Sequence, residues 1–257
     1  MITRIEEISM NSWPALQTVL FDGWVLRFAD GVTKRSNSIN PIYQSTLQVE
    51  EKIGACEKLY SARNLKTVFK LTEKIYPADL DGMLENRGYE KNSVTSVQTL
   101  KLASFTCEPC NSKSVSEEFD GDWMNGFFNF AGIDAKSRLA YQKILQHIFM
   151  KRCFLTVFLR NSPVCCGLGV LADNYLGVFD RAVSPEYCGW GFGRLAMEGI
   201  LDWGKKNGAE TAFLQVFLDN TTAMKLYEKM GFEEIYKYWY RIKDSRRRIT
   251  DSRAFRL

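Results

Sequence analysis

The chain has 257 residues, 46% hydrophobic and 25% charged, with a formal net charge of +4 at pH 7. That length can bury a sizeable core in one large or two small domains, and the composition is that of an ordinary soluble globule. Arg241, Lys243, Arg246, Arg247, Arg248, Arg253 and Arg256 carry more than the whole of the charge, so the body lacks a basic stripe and argues against nucleic acid as main partner.

In chain order, Asp22-Gly23 and Asp30-Gly31 bracket a short strand, which predicts a hairpin with residues 33–39 as its second arm. A helix over about 44–63 and a strand at 67–71 follow. A further helix opens at Pro77 and closes at Gly88, leading into a strand at roughly 94–102. Residues 103–119 are polar and serine-rich without periodicity, and they read as an inter-domain linker.

Helices are expected over 123–130 and 135–148, the latter with Leu139, Ile144, Leu145 and Ile148 on one face. Two apolar runs, 153–159 and 165–171, form a hairpin around Asn161-Ser162-Pro163. The next strand, 175–183, ends at Ser184-Pro185 because proline lacks the N–H that would extend the ladder. Beyond it the chain passes Cys188, Gly189, Trp190, Gly191, Phe192, Gly193 and Arg194 and enters a helix whose apolar face is Phe192, Leu195, Ala196, Gly199, Ile200 and Trp203.

These glycines permit positive φ and close backbone approach, so that consecutive N–H groups and the positive helix end point at one anion. Each such N–H to a charged oxygen contributes about 1.5 to 3 kcal/mol. Packing of a strand-loop-helix turn also calls for glycine, and from spacing alone both readings stand. The loop lacks a Gly-Lys-Ser/Thr ending and departs from the dinucleotide fingerprint.

A strand at 211–216 then runs to Asp219-Asn220, a helix N-cap pair. That helix carries Ala223, Leu226, Tyr227 and Met230 on one face and stops at Gly231. Phe232 begins the final strand. Helices alternating with strands around one anion cradle predict an α/β domain with a mixed sheet.

The block Asn220-x-x-Ala223-x-x-Leu226-Tyr227-Glu228-Lys229-Met230-Gly231-Phe232, placed after Val183-Ser184-Pro185-Glu186 and a Gly-x-Gly loop, resembles the GNAT superfamily of N-acetyltransferases. The resemblance spans about residues 123–243 and implies a mixed, bent central sheet in which two parallel strands splay to admit the thioester of acetyl-CoA. It places the cradle on Cys188, Gly191 and Gly193, with Gly189, Trp190, Phe192 and Arg194 in the same loop. Cys188 stands where the family has Arg or Gln, and Arg194 is the candidate to supply the missing charge. Ala182 and Val183 match the strand end that pairs with the pantetheine arm, and Asn220 matches an asparagine near that arm.

Tyr227 matches the tyrosine that protonates the departing thiolate, and a phenol of pKa ~10 beside a thiol of ~8.5 is suited to that transfer. Packing on the helix face is the other use open to it. Asp180, an even number of residues from Ala182, is the candidate base or amine anchor, or else the partner of a neighbouring arginine.

In the first half, residues 77–89 line up with 220–232 at constant offset, with Pro77 at the place of Asn220 and Leu84 at that of Tyr227. The helix before them has no glycine loop. The expectation is therefore a tandem of two GNAT-like halves: 1–104 degenerate, 105–118 linker, 119–243 binding acetyl-CoA, and 244–257 a basic tail. Trp24, Arg27, Arg35, Asn37 and Ser38 could line an acceptor pocket or simply finish a hairpin.

Seven cysteines, an odd number, fit reduced thiols in a cytoplasmic protein. Cys107 and Cys110 have metal-like spacing, yet His147 is the only histidine and no second pair follows, so no metal is expected. The start lacks a basic segment ahead of a long apolar run, and no stretch of 18 uninterrupted apolar residues occurs; neither export nor membrane insertion is expected. The implied activity is acyl transfer from acetyl-CoA to the amine of a small molecule or peptide. The alternatives are a CoA-binding sensor without turnover and, more remotely, a ribosome-associated module using the arginine tail.

Overall fold

A computed structural model describes residues 1–107 and 112–244. The elements begin with α1 (Ile2–Ser12), β1 (Gln17–Phe21), β2 (Trp24–Phe28), β3 (Ile39–Asn40), α2 (Val49–Ser61), β4 (Thr67–Thr72), α3 (Leu80–Asn86) and β5 (Glu90–Lys101). They continue with β6 (Lys113–Ser116), α4 (Gly121–Phe130), α5 (Ala135–Gln146), β7 (Lys151–Leu159), β8 (Ser162–Ala172) and β9 (Tyr175–Val183). Last come α6 (Phe192–Lys206), β10 (Thr211–Phe217), α7 (Thr221–Lys229) and β11 (Glu233–Lys243). No helix among the described residues is long and apolar enough to cross a membrane.

Two compact units emerge. The first comprises Met1–Glu6, Ala15–Val94 and the described residues from Lys237; the second comprises Glu7–Pro14 and Thr95–Tyr236. The boundaries therefore fall at Val94 and Tyr236 instead of 104 and 119. Within the expected linker 105–118, Lys113–Ser116 form β6, which pairs antiparallel with β7. Cys110 and the stretch 245–257 lie outside the described residues.

In the first unit the strand order is β1-β2-β3-β4-β11. The hairpin arms are β1 and β2, joined at Asp22 (φ 43°) and Gly23 (φ 82°), the pair of positive φ values a two-residue turn requires. Of residues 33–39 only the end meets β2 as expected, Ile39 in β3 pairing antiparallel with Leu26. Asn37 instead staples the Asp30-Gly31 loop, accepting from the N–H groups of Ala29 (2.7 Å) and Gly31 (2.9 Å). Helix α2 starts five residues later than expected because the stretch before it is tied to Asp22. Trp24, Leu26, Phe28, Ile53, Tyr60, Phe69 and Leu84 are among the core residues. With Trp24 buried there and Arg27 bonded to the Arg35 carbonyl, this set finishes the hairpin and its turns.

The second unit has the order β5-β10-β9-β8-β7-β6, with β9 and β10 parallel and the other pairs antiparallel. One core lies beneath α6 and α7 and takes Leu176, Val178, Ala196, Ile200, Leu214, Val216 and Tyr227. The other is aromatic: Trp123 stacks on Phe127, while Tyr141 meets Trp13, Phe127 and Phe128, and Phe179 stacks on Trp13. Phase along β9 explains the two cores, since Leu176 and Val178 point one way and Phe179 the other. Leu139 is exposed; Ala140, Tyr141, Ile144 and Leu145 form the buried face of α5 instead.

Candidate active site

Parallel strands β9 and β10 are paired from Thr211↔Tyr175 to Leu214↔Val178. Both run on, β10 to Phe217 and β9 to Val183, but without further registered pairs, so the strands part beyond Leu214. The strand ends bounding this gap are Ala182 and Val183 on one side and Gln215 to Phe217 on the other.

A bulge sits at the mouth of the gap. Cys166 faces Ala182 and Leu168 faces Phe179, so Asp180 and Arg181 together stand opposite the single residue Gly167. Asp180 has φ 45°, the left-handed region that aspartate tolerates better than most side chains. Past the bulge the phase has slipped by one. Asp180 accepts a hydrogen bond from the Tyr141 hydroxyl at 3.3 Å, on the aromatic side. Arg181 turns to the α6 and α7 side, where its Nη2 donates to the Tyr227 hydroxyl oxygen at 2.8 Å. Asp180 and Arg181 are thus split between the two faces.

The loop from Cys188 to Arg194 enters α6 with Gly191 as its N-cap at φ 88°, and Gly189 has φ 86°. A Cβ at either glycine would meet nothing within 4 Å among the described residues, so the cradle faces away from them. No side chain among the described residues caps the helix. Arg194 and Leu195 donate to the Gly191 carbonyl, whereas the N–H groups of Phe192 and Gly193 have no backbone acceptor among the described residues. Such a helix start suits an anion like a diphosphate. Gly193 differs from its two neighbours in having no positive φ. A Cβ there would stand 2.6 Å from Nη1 of Arg181, so the guanidinium would have to shift to admit one.

Tyr187 braces the loop, with its ring edge-on to Trp190 (5.7 Å) and Phe192 (6.0 Å), and Trp190 remains 68% exposed. Cys188 is exposed, with its Sγ near the Ser184 carbonyl. Arg194 leans along the helix to Glu198 at 2.8 Å. Asn220 caps α7 as its sequence position requires, its Oδ1 accepting from the Ala223 N–H at 3.1 Å. Tyr227 is only 8% exposed and packs beside Phe232. Arg181 and Tyr141 were not singled out by sequence. Alternation counted back from Val183 does place Arg181 on the opposite side from Asp180 and Ala182, and this was the available signal.

In the first unit the place that precedes α2 is filled from within. The Asp22 carboxylate accepts from the N–H groups of Thr46 (3.0 Å) and Leu47 (2.9 Å) and from the Thr46 hydroxyl (2.7 Å). These bonds, that of Leu47 foremost, hold Asp22 well below the usual carboxylate range. A cavity of about 780 Å³ in this unit lies elsewhere, among Gly54, Glu57, Lys58, Arg87 and Lys243.

Residues 121–232 match the model of the acetyltransferase (GNAT) family, and residues 1–139, more than half of the chain, match that of the probable histone acetyltransferase Rv0428c C-terminal region. The uncharacterized N-acetyltransferase YobR of Bacillus subtilis (strain 168) is 28% identical, over 94% of this chain and 98% of its own. Among solved structures, a GCN5-related N-acetyltransferase from Kribbella flavida gives a TM-score of 0.70 at 16% identity, covering 95% of both chains. A tandem GNAT protein from the clavulanic acid biosynthesis pathway gives 0.60 at 10% identity, over 93% of this chain and 87% of its own. The mixed α/β fold is that of these proteins.

Proposed function

We infer that this chain, which belongs to the GNAT acetyltransferase family, transfers an acetyl or related acyl group from acyl-CoA to an amine by direct attack. The observation that carries this reading is the reach of Arg181. One guanidinium spans from the open first turn of α6 to the Tyr227 hydroxyl, so an anion cradle and a proton donor lie one side chain apart at the gap between β9 and β10.

In this reading the N–H groups of Phe192 and Gly193 hold the diphosphate of CoA, and the backbone of Ala182 and Val183 aligns the pantetheine arm. The exposed Trp190 and the loop around Cys188, Gly189 and Gly191 line the nucleotide end. Asn220 acts by fixing the start of α7 and hence the position of Tyr227. CoA supplies an activated acyl group as its thioester. The amine nitrogen bonds to the thioester carbonyl carbon while the C–S bond breaks with its electron pair on sulfur, and Tyr227 passes its proton to that sulfur. A lysine-like amine of pKa ~10.4 costs roughly 4 to 5 kcal/mol to neutralise at pH 7. Asp180, on the opposite face from Tyr227, is placed to take or hold that proton as the acceptor arrives from the Tyr141 side.

The first unit is read as a degenerate half that does not bind CoA, because Asp22 supplies the anion at its helix start. Thiol chemistry supports a cytoplasmic setting: six cysteines are free among the described residues, and burial pushes Cys153, Cys165 and Cys166 up to about 12. A second reading, CoA binding without turnover, is favoured by Cys188 alone, whose thiol offers no charge to the diphosphate.

The test is acetyl-CoA with a panel of small amines and amino-terminal peptides, read as thermal shift and as free thiol released. A rise in Tm with thiol release supports transfer, and a rise without release supports the sensor. No shift at millimolar acetyl-CoA would remove both.

A further inference from the structure

We propose that Arg181 is a positioning residue for acyl transfer: it fixes the Tyr227 hydroxyl so that its proton points into the gap between β9 and β10, and it holds the negative charge released there. This rests on the acyl-transfer reading above.

The argument begins with the bulge. Leu176 and Val178 face the core beneath α6 and α7, so unbroken alternation would bring Asp180 to the Tyr227 side. The extra residue opposite Gly167 slips the phase and delivers a cation there instead of a carboxylate. A carboxylate at that place would oppose the charge that develops on sulfur, whereas a guanidinium favours it.

Hydrogen-bond chemistry fixes the direction of the phenol. Guanidinium is a donor only, so at 2.8 Å the Tyr227 oxygen must be the acceptor and its own hydrogen must point elsewhere. The guanidinium also lies over the phenol ring, 5.1 Å from its centre, so ring and hydroxyl are held together. Gly193 leaves this path clear, because a Cβ there would stand 2.6 Å from Nη1 and the guanidinium would have to shift. Finally, Nε of Arg181 is buried and makes no hydrogen bond among the described residues. Buried donors are seldom left in that condition, and this one is available to an acceptor entering the gap.

In balanced form, the C–S bond breaks with its pair on sulfur, the Tyr227 proton moves to sulfur to give the CoA thiol, and the phenolate left behind stays bonded to Arg181. Water returns a proton to Tyr227 after the thiol departs, and the proton lost by the amine leaves to solvent.

The experiment compares the full chain with Arg181→Met, Arg181→Lys, Tyr227→Phe and the Arg181→Met/Tyr227→Phe double variant. Calorimetry gives the affinities of acetyl-CoA, CoA and desulfo-CoA at pH 7 and pH 9, and thiol release gives kcat and KM on any amine that turns over. Arg181→Met should lower kcat about 10- to 100-fold with acetyl-CoA affinity nearly unchanged. Arg181→Lys should recover part of it, and the double variant should be no slower than Tyr227→Phe. The parent should prefer CoA over desulfo-CoA more strongly at pH 9, where a thiol of pKa ~8.5 is ionised, and Arg181→Met should lose that gain. Undiminished kcat, losses that multiply with Tyr227→Phe, or an unchanged CoA preference would overturn the proposal. So would tighter acetyl-CoA binding by Arg181→Met, which would make the side chain a plug in the cofactor's path. If the parent binds acetyl-CoA and only these Arg181 effects are missing, the acyl-transfer reading survives; if it binds no acetyl-CoA, both fall.

Discussion

The ammonium of Lys52, wholly buried, lies 3.2 Å from the Asp22 carboxylate and donates to the Asp22 carbonyl oxygen at 2.6 Å. It also sits 4.0 Å from the centre of the Trp24 ring, so a cation and an anion close the start of α2 from inside the first unit. Burial pushes Lys52 down, and Asp22 partly offsets this.

A pH dependence follows from Asp22. Its folded pKa is depressed, so its contribution is present above the unfolded value of about 3.9 and is lost as pH falls toward the folded one. At pH 7 the parent should be more stable than Asp22→Asn, and the two denaturation midpoints should converge below about pH 4. Parallel curves down to pH 3 would show that the carboxylate contributes nothing specific.

Glu6 and Lys70 form a second enclosed pair, 2.5 Å apart with both side chains at most 4% exposed. Glu6→Leu strands the ammonium and should cost about 3 to 5 kcal/mol in urea unfolding. Adding Lys70→Met should recover most of that loss, because the desolvation penalty goes with the charge. A double variant as unstable as the single one would assign the cost to packing around α1.

At the cradle, Gly191→Glu places a carboxylate against the diphosphate at a residue whose φ of 88° already favours glycine. The thermal shift with acetyl-CoA should vanish. Persistence of the shift in this variant would move the cofactor site away from α6.

Tyr227→Phe keeps the ring against Phe232 and removes only the hydroxyl. Turnover should fall by about 10² to 10³ with little change in acetyl-CoA affinity. An unchanged rate would return Tyr227 to the core and nothing more.

For Asp180→Asn the amide can still accept from Tyr141, so folding should be preserved. As a base it would matter most where the amine is protonated, and the rate deficit should therefore narrow as pH rises toward ~10. A deficit constant across pH would make Asp180 an anchor for the acceptor.

Which of these features could be read in advance follows from how local they are. The Asn220 cap, the Gly231 stop and the two left-handed glycines each depend on a few adjacent residues, and they stand where the sequence puts them. Bulge formation at Asp180 depends on the register of β8, which no window on β9 contains. The filled helix start before α2 depends on a carboxylate more than twenty residues upstream, and the strand in 113–116 on pairing with β7. Leu139 matched a helical period but fell on the side of α5 away from Trp13 and Phe127, where a neighbouring residue, Tyr141, does the packing.

The order of synthesis gives the division into units a further meaning. The first unit is interrupted at Val94 and completed only by the stretch from Lys237, of which Tyr238 to Lys243 pair with Thr67 to Thr72. Arg241 then clasps Asp81 and Glu85 on α3. As the chain leaves the ribosome, β4 therefore waits for its β11 partner through the whole of residues 95–236, while the second unit can close once Tyr236 has emerged. Most of the first unit is made early and finished last, and a chain cut before Lys237 would hold every residue of the second unit while leaving β4 without its β11 partner.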